Sequence, residues 1–345
     1  MIKKIIILHD TFLYKGGERL IMMMKALEAD IASGFFSASF DLRKEFKKMI
    51  SLSNEVFKKF RHIKLKFAFL FKTKFLSDYD TVIFSDSISG VRNCNKKQKK
   101  IYYCHTPPRY LYDLHNLYLQ KVPFLVKPIF KIACIVFRYL YEKDIKKIDL
   151  ILTNSKNTQK RIKDFLLEST ILYPPVDHNE FKFLEQKDYY LSFARLSDAK
   201  RVDKIVEAFK KLPDKKLIVI YGENDPQKQK IFDLANQKNI EFITLPNIFK
   251  EYVNCIASIY IPIDEDFMSP VESMACKPVL VNELKESIID QKTLLIDSEC
   301  KIEDIIKINF LTTQKCLEMK DDCIKRSNDF SLDIFKNKLI ELSKK

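Results

Sequence analysis

The chain has 345 residues, 46% of them hydrophobic and 31% charged, and a formal net charge of +14. That length suits two domains better than one core, and the composition excludes intrinsic disorder. No run of 18 uncharged apolar residues occurs, and the basic start MIKKIIILHD lacks a small-residue cleavage site, so neither a membrane span nor secretion is expected.

Eight cysteines, at 94, 104, 134, 255, 276, 300, 316 and 323, are scattered without a C-x-x-C pair. They read as reduced core thiols of a cytoplasmic protein, and no zinc or other metal site is expected. The charge is uneven. Residues 1–185 hold 34 Lys and Arg against 19 Asp and Glu, whereas residues 186–345 hold 26 against 27. A basic first half points to a polyanion or an anionic membrane face. Glycine is scarce enough that the five present, Gly16, Gly17, Gly34, Gly90 and Gly222, merit inspection.

Short apolar runs recur along the chain. IIIL (5–8), TVIF (81–84), IYYC (101–104), LILT (150–153) and TILY (170–173) form one series. YYLSF (189–193), LIVIYG (217–222), IEFIT (240–244), SIYIP (258–262), PVLV (278–281) and TLLI (293–296) form a second. Amphipathic segments lie between them, among them ERLIMMMKAL, KNTQKRIKDFLL, KRVDKIVEAFKKL and PQKQKIFDLANQ. Strands alternating with helices predict parallel sheets, and two series predict two doubly wound α/β domains. The proline-broken stretch YPPVDHNEFKFLEQKD (173–188) is the expected hinge.

Ligands of such sheets bind beyond the carboxyl ends of the strands, so the loops there should carry the chemistry. After IIIL, the pair Gly16-Gly17 opens a helix and could let backbone N–H groups approach an anion; a tight turn explains it equally well. After IYYC, His105 is followed by two prolines that fix the loop; it is a site candidate beside a purely structural alternative. After YYLSF, Arg195 stands at the strand end and Lys200 at the start of a helix capped by Ser197 or Asp198. Two cations at that junction oppose the helix dipole unless an anion joins them, which favours a phosphate site. Gly222 ends a strand, with Asp225-Pro226 expected to start the next helix. In DEDFMSPVESMACKPVLV (264–281), three acids precede Ser269, Pro270 and Glu272, which spell a capping box with proline at its first position.

Taken in order, KGGERL, YCHTPPRYLYD, TNS, YPPVD, RLSDAKRVDKIVEAF and EDFMSPVESMACKPVLV resemble the retaining glycosyltransferases of family 4, over nearly the whole chain. No one segment is specific; six in order are. The H-T-P-x-R-Y-x-x-D form resembles members that transfer mannose or similar sugars to bacterial surface glycans. The resemblance implies the GT-B fold, two Rossmann-like domains facing a central cleft. Residues 1–185 would bind the acceptor, 186–325 the nucleotide sugar, and 326–345 would be a C-terminal helix packing back on the first domain. It further implies that Arg195 and Lys200 hold and stabilise the nucleotide diphosphate, that Glu272 bonds the ribose, that Asp264, Glu265 and Phe267 face the donor sugar, that Gly17 presents backbone to the phosphate with Gly16 and Gly222 also in the donor site, and that His105 lies beside donor sugar and acceptor; His105, Arg195, Lys200 and Glu265 are the catalytic candidates. No cofactor or metal is implied beyond the donor itself, with GDP-mannose the specific expectation and a glycan or lipid-linked acceptor.

The sequence departs from the family pattern in three places. Glu265 and Glu272 have six residues between them where the family has seven, so either Glu265 or Asp264 takes the first acid's place. MACKPV lacks the usual glycine before Lys277, and Ala194 stands where a glycine commonly precedes the arginine. The rival reading is therefore a GT-B protein that binds sugar nucleotide or a partner without catalysis. Nucleic acid is not an expected partner, because the second half is neutral and no recognised motif occurs. FKKFRHIKLKFAFLFKTKF (57–75), with seven Lys and Arg, six Phe and no acid, is the stretch expected to lie on an anionic membrane at the cytoplasmic face, the alternative being a core helix with a basic outer side.

Overall fold

The computed structural model describes residues 4–12, 27–36, 46–53, 61–165, 167–176, 178, 181, 187–244, 254–262, 268–275, 279–281, 294–295 and 313–344. The chain divides into two compact units, Met1–Tyr173 with Phe335–Lys345, and Pro174–Ile334.

In the first unit seven parallel strands are described: β1 (Ile5–His9), β2 (Asp30–Ser33), β3 (Met49–Ser51), β4 (Thr81–Ser85), β5 (Lys99–Cys104), β6 (Leu150–Thr153) and β7 (Thr170–Ile171). Their order is β3-β2-β1-β4-β5-β6-β7. The run IIILH is almost wholly buried because a parallel sheet is covered on both faces. Helices α1 (Arg61–Phe71), α2 (His115–Lys121), α3 (Lys127–Ile145) and α4 (Lys156–Phe165) belong to this unit. Its core gathers Ile6, Leu8, Phe69, Phe84 and Tyr102. Gly34 follows β2 where a Cβ would lie 2.7 Å from the carbonyl oxygen of Asp10, so only glycine fits that close approach.

The second unit repeats the plan with β8 (Tyr190–Phe193), β9 (Leu217–Tyr221), β10 (Ile240–Thr244), β11 (Ala257–Tyr260), β12 (Val279–Val281) and β13 (Leu294–Leu295), ordered β10-β9-β8-β11-β12-β13 and parallel throughout. Its helices are α5 (Val202–Phe209), α6 (Lys228–Leu234), α7 (Met268–Met274) and α8 (Thr313–Asn328), and α9 (Leu332–Lys344) closes the chain. In α5 the buried residues Val202, Ile205, Val206 and Phe209 recur at helical spacing, which makes one face of the helix part of the core.

The observed division differs from the expected boundaries at 185 and 325. Val176 already belongs with the second unit, because its N–H donates to the carbonyl oxygen of Phe330 at 2.8 Å and it pairs with Ser331. His178 adds a contact of 3.1 Å to the Ser327 hydroxyl. The return of the chain to the first unit comes at Phe335, whose ring meets that of Tyr103 at 6.4 Å. Among the described residues no helix is long and apolar enough to cross a membrane, and the described cysteines 94, 104, 134, 255 and 323 are free thiols.

Candidate functional site

Each sheet reverses its winding direction once, between β1 and β4 in the first unit and between β8 and β11 in the second. At such a point the loops on either side diverge and leave a crevice at the carboxyl ends of the strands.

In the first unit the pairing of β1 with β4 sets His9 opposite Ser85 across that point. His9 is 4% exposed, and its Nδ1 lies 3.2 Å from Ser85 Oγ and 3.1 Å from Asp86 Oδ2. The Ser85 hydroxyl also lies 2.8 Å from His105 Nε2, at the end of neighbouring β5. One tautomer set satisfies all three contacts. His9 Nδ1–H is shared between the Asp86 carboxylate and the Ser85 oxygen, the Ser85 hydroxyl donates to His105 Nε2, and His105 keeps its proton on Nδ1. Burial lowers the His105 pKa below the usual 6.5, with the neighbouring Asp86 opposing and His9 reinforcing the shift, so the neutral ring is favoured. Thr158 fixes the loop by donating its hydroxyl to the carbonyl oxygen of His105 at 3.2 Å, and the N–H of Thr158 is in turn held by Ser155 of the TNS segment at 3.1 Å. Asp86 is strained, with φ at 85°, as befits a residue held by its contacts rather than by its own preference.

Of this cluster the sequence singled out only His105. His9, Ser85 and Asp86 were missed; the signal available was that L-H-D and F-S-D-S both close apolar strand runs.

In the second unit Arg195 follows β8 by two residues, and 63% of its side chain is exposed. Its Nε stands 3.9 Å from Asp225 Oδ1, a loose ion pair rather than a hydrogen bond. Asp225 is the anchor. Its Oδ2 accepts N–H bonds from Leu196 at 3.0 Å and Gly222 at 2.9 Å, joining the loop after β8 to the loop after β9. A Cβ on Gly222 would sit 3.1 Å from Asp225 Oδ1, so the glycine makes room for the carboxylate.

Two expected helix starts are corrected here. Lys200 lies in a short 3-10 turn, Asp198–Lys200, and α5 begins only at Val202, because Arg201 adopts a left-handed φ of 56° between them. Neither Ser197 nor Asp198 caps α5, and Asp198 instead accepts a hydrogen bond from the side-chain amide of Gln227. Likewise Asp225-Pro226 does not start a helix. It lies in a turn ahead of α6, since the Asp225 carboxylate is taken by the two backbone N–H groups just described.

Glu272 lies in α7, the helix that follows β11 on the other side of the reversal, and is 1% exposed. The described helix, Met268–Met274, already contains Ser269 and Pro270 as its second and third residues, so Ser269 does not stand ahead of the helix as a capping box requires and Pro270 is not its first residue. Gly16, Gly17, Asp264, Glu265 and Phe267 lie outside the described residues.

The segment bearing Arg195 and Lys200 after β8 and the helix bearing Glu272 after β11 thus follow the two strands that meet at the reversal point of the second sheet. That part of the chain is also the part that a known family covers. Residues 175–328 match the model of the family described as glycosyl transferases group 1. The match spans less than half of the chain and nearly coincides with the second unit. Solved structures extend the likeness to the whole. HepE of Anabaena, solved with UDP and glucose, superposes with a TM-score of 0.74 at 15% identity, over 98% of each chain. TarM gives 0.73 at 13% identity, over 100% of this chain and 99% of its own. A trehalose-6-phosphate protein of E. coli, bound with UDP-2-fluoro glucose, gives 0.66 at 8% identity, over 99% of each. The fold is GT-B. No curated protein matches the chain in sequence.

Proposed function

We propose that the protein is a glycosyltransferase that moves a hexosyl group from a nucleoside diphosphate sugar to an acceptor hydroxyl with retention of configuration. The observation that carries this reading is the placement of Arg195 and Lys200 after β8 and of buried Glu272 in the helix after neighbouring β11, on the two sides of one reversal point, within the unit that matches glycosyl transferases group 1. In this reading the bond between the anomeric carbon and the diphosphate oxygen breaks and its electron pair leaves with the diphosphate, while the acceptor oxygen bonds to the anomeric carbon on the same face and its proton passes to the departing diphosphate. Arg195 and Lys200 stabilise the charge that develops there, in the way fixed cations serve any departing phosphate. Glu272 accepts hydrogen bonds from ribose hydroxyls. The first unit holds the acceptor, and neutral His105, locked by Ser85, presents its Nδ1–H as a donor to a sugar oxygen. Mannose is our specific expectation for the sugar, and GDP-mannose for the donor. Because HepE and the E. coli protein were solved with uridine nucleotides, UDP-sugars belong in the same test.

A second reading, binding of a nucleotide sugar without turnover, is favoured by the one-residue deficit between Glu265 and Glu272. The two separate when the purified protein is incubated with UDP- and GDP-sugars and the products are followed by NMR. The proposal expects release of one nucleoside diphosphate and a sugar or glycoside of unchanged anomeric configuration. Nucleotide binding with no release from any donor would leave only the second reading.

A further inference from the structure

We infer that the segment from α2 to the end of α3 docks the protein on an anionic lipid leaflet; the inference does not depend on sugar transfer. Helix α3 is apolar on two sides. Its inner side is fixed to the first unit through Cys134 and Tyr141, which are buried, and through Asp144, whose Oδ1 accepts a bond from Arg92 Nε at 2.6 Å. Phe137 packs under the ammonium of Lys66, 4.4 Å from the ring centre. The opposite side carries Ile129, Ile132, Ile135, Val136 and Tyr139, all exposed and spaced as one helical stripe. Ahead of it the turn Phe124–Val126 holds Phe124 and Leu125 at 82% and 85% exposure. A helix with apolar residues on opposite sides normally has neighbours on both, and a contiguous apolar surface of this kind marks an interaction site.

The charge says what covers it. Between Leu114 and Ile148 stand Lys121, Lys127, Lys131, Arg138, Lys143, Lys146 and Lys147 against only Glu142 and Asp144, and Asp144 is already paired with Arg92. A second copy of the chain related by a two-fold axis would set the same lysines against one another. A leaflet of anionic lipid satisfies both halves of the surface. The stripe and the Phe124-Leu125 turn enter the acyl boundary, while the lysines extend to headgroup phosphates. The basic stretch at 57–75 is less suited to the task, because Leu65, Ala68 and Phe69 of α1 are core residues; among its described residues the large apolar side chains exposed are Phe67 and Phe71.

Flotation of the full chain with vesicles tests the inference. Binding is expected to phosphatidylglycerol-containing vesicles and to be much weaker to pure phosphatidylcholine. The triple variant Phe124→Ser, Leu125→Ser, Ile129→Ser and the separate triple variant Lys121→Gln, Lys127→Gln, Lys131→Gln should each bind at least about tenfold more weakly, with unchanged melting temperature since every position replaced lies on this surface. Failure of the wild type to float with anionic vesicles, or wild-type binding by both variants, would overturn it. So would a dimer in light scattering that the apolar triple variant dissociates, because a second copy would then be the occupant.

Discussion

Gly222 and Asp225 fit together because the glycine has no side chain: its N–H donates to Asp225 Oδ2 at 2.9 Å, and a Cβ would press on Oδ1 at 3.1 Å. The same carboxylate holds the N–H of Leu196, next to Arg195. Asp225→Ala should therefore destabilise the protein by about 1–3 kcal/mol, the cost of leaving part-buried donors without an acceptor. Gly222→Ala should cost less in stability, but displace the carboxylate and reduce activity. Urea unfolding of both variants checks this; an Asp225→Ala protein of wild-type stability would remove Asp225 as the anchor.

Arg195 is mostly exposed and loosely paired, so its removal should cost function and not folding. Turnover of Arg195→Ala and of Lys200→Ala should fall by roughly 10²–10³-fold, the loss typical of one donor to a developing negative charge. Melting temperatures should stay near wild type. Steady-state kinetics at wild-type rates in both variants would refute the assignment.

For His105 the sign of the pH effect follows from its lowered pKa. Between the unfolded value of about 6.5 and the lower folded value, the unfolded chain binds more protons at this position. Stability from this group is thus complete above about pH 6.5 and is lost as pH falls towards the folded value. His105→Asn should flatten that part of the stability profile. Ser85→Ala, which removes the hydroxyl shared with His9, should destabilise by about 1–3 kcal/mol and shift the acid limb of the activity profile. A stability profile with the same acid slope in wild type and His105→Asn would contradict the account.

Glu272 offers a discrimination by charge alone. If it holds a ribose, Glu272→Gln should weaken nucleotide binding about tenfold, because hydrogen bonds to a charged acceptor contribute roughly 1.5–3 kcal/mol against about 1 for neutral ones. A purely structural role predicts unchanged affinity. In the acidic stretch that precedes it in sequence, Glu265→Ala is expected to abolish transfer and Asp264→Ala to leave most of it. The reverse pattern would mean that the aspartate restores the family spacing.

Most of the sheet was legible, since β1, β4, β5, β6, β8, β9 and β11 are apolar runs that burial on both faces demands, and the edge strand β10 is an apolar run of similar length. β2 and β3, Asp30–Ser33 and Met49–Ser51, were not singled out because each is short and shares its residues with polar neighbours. The site was legible where its chemistry is local, as at Arg195 and His105. It was not legible where chain segments far apart meet: His9 and Ser85 are separated by 76 positions, and only the parallel register of β1 and β4 brings them together. The sequence around Asp225-Pro226 looks like a helix start because the two backbone partners of the carboxylate, Leu196 and Gly222, belong to other turns. The exposed stripe of α3 escaped notice for a related reason: sequence shows that Ile129 and Ile132 are apolar, but only packing shows which side of the helix remains uncovered.

The proposed function requires a nucleoside diphosphate to be held through Arg195 at the reversal point of the second sheet. Calorimetric titration of UDP and GDP into the wild type and Arg195→Ala tests it most directly. The account predicts one-to-one binding of one of the two by the wild type, and affinity at least about tenfold lower in the variant, equivalent to about 1.4 kcal/mol. Binding of neither nucleotide by the wild type, or equal binding by the variant, would contradict it.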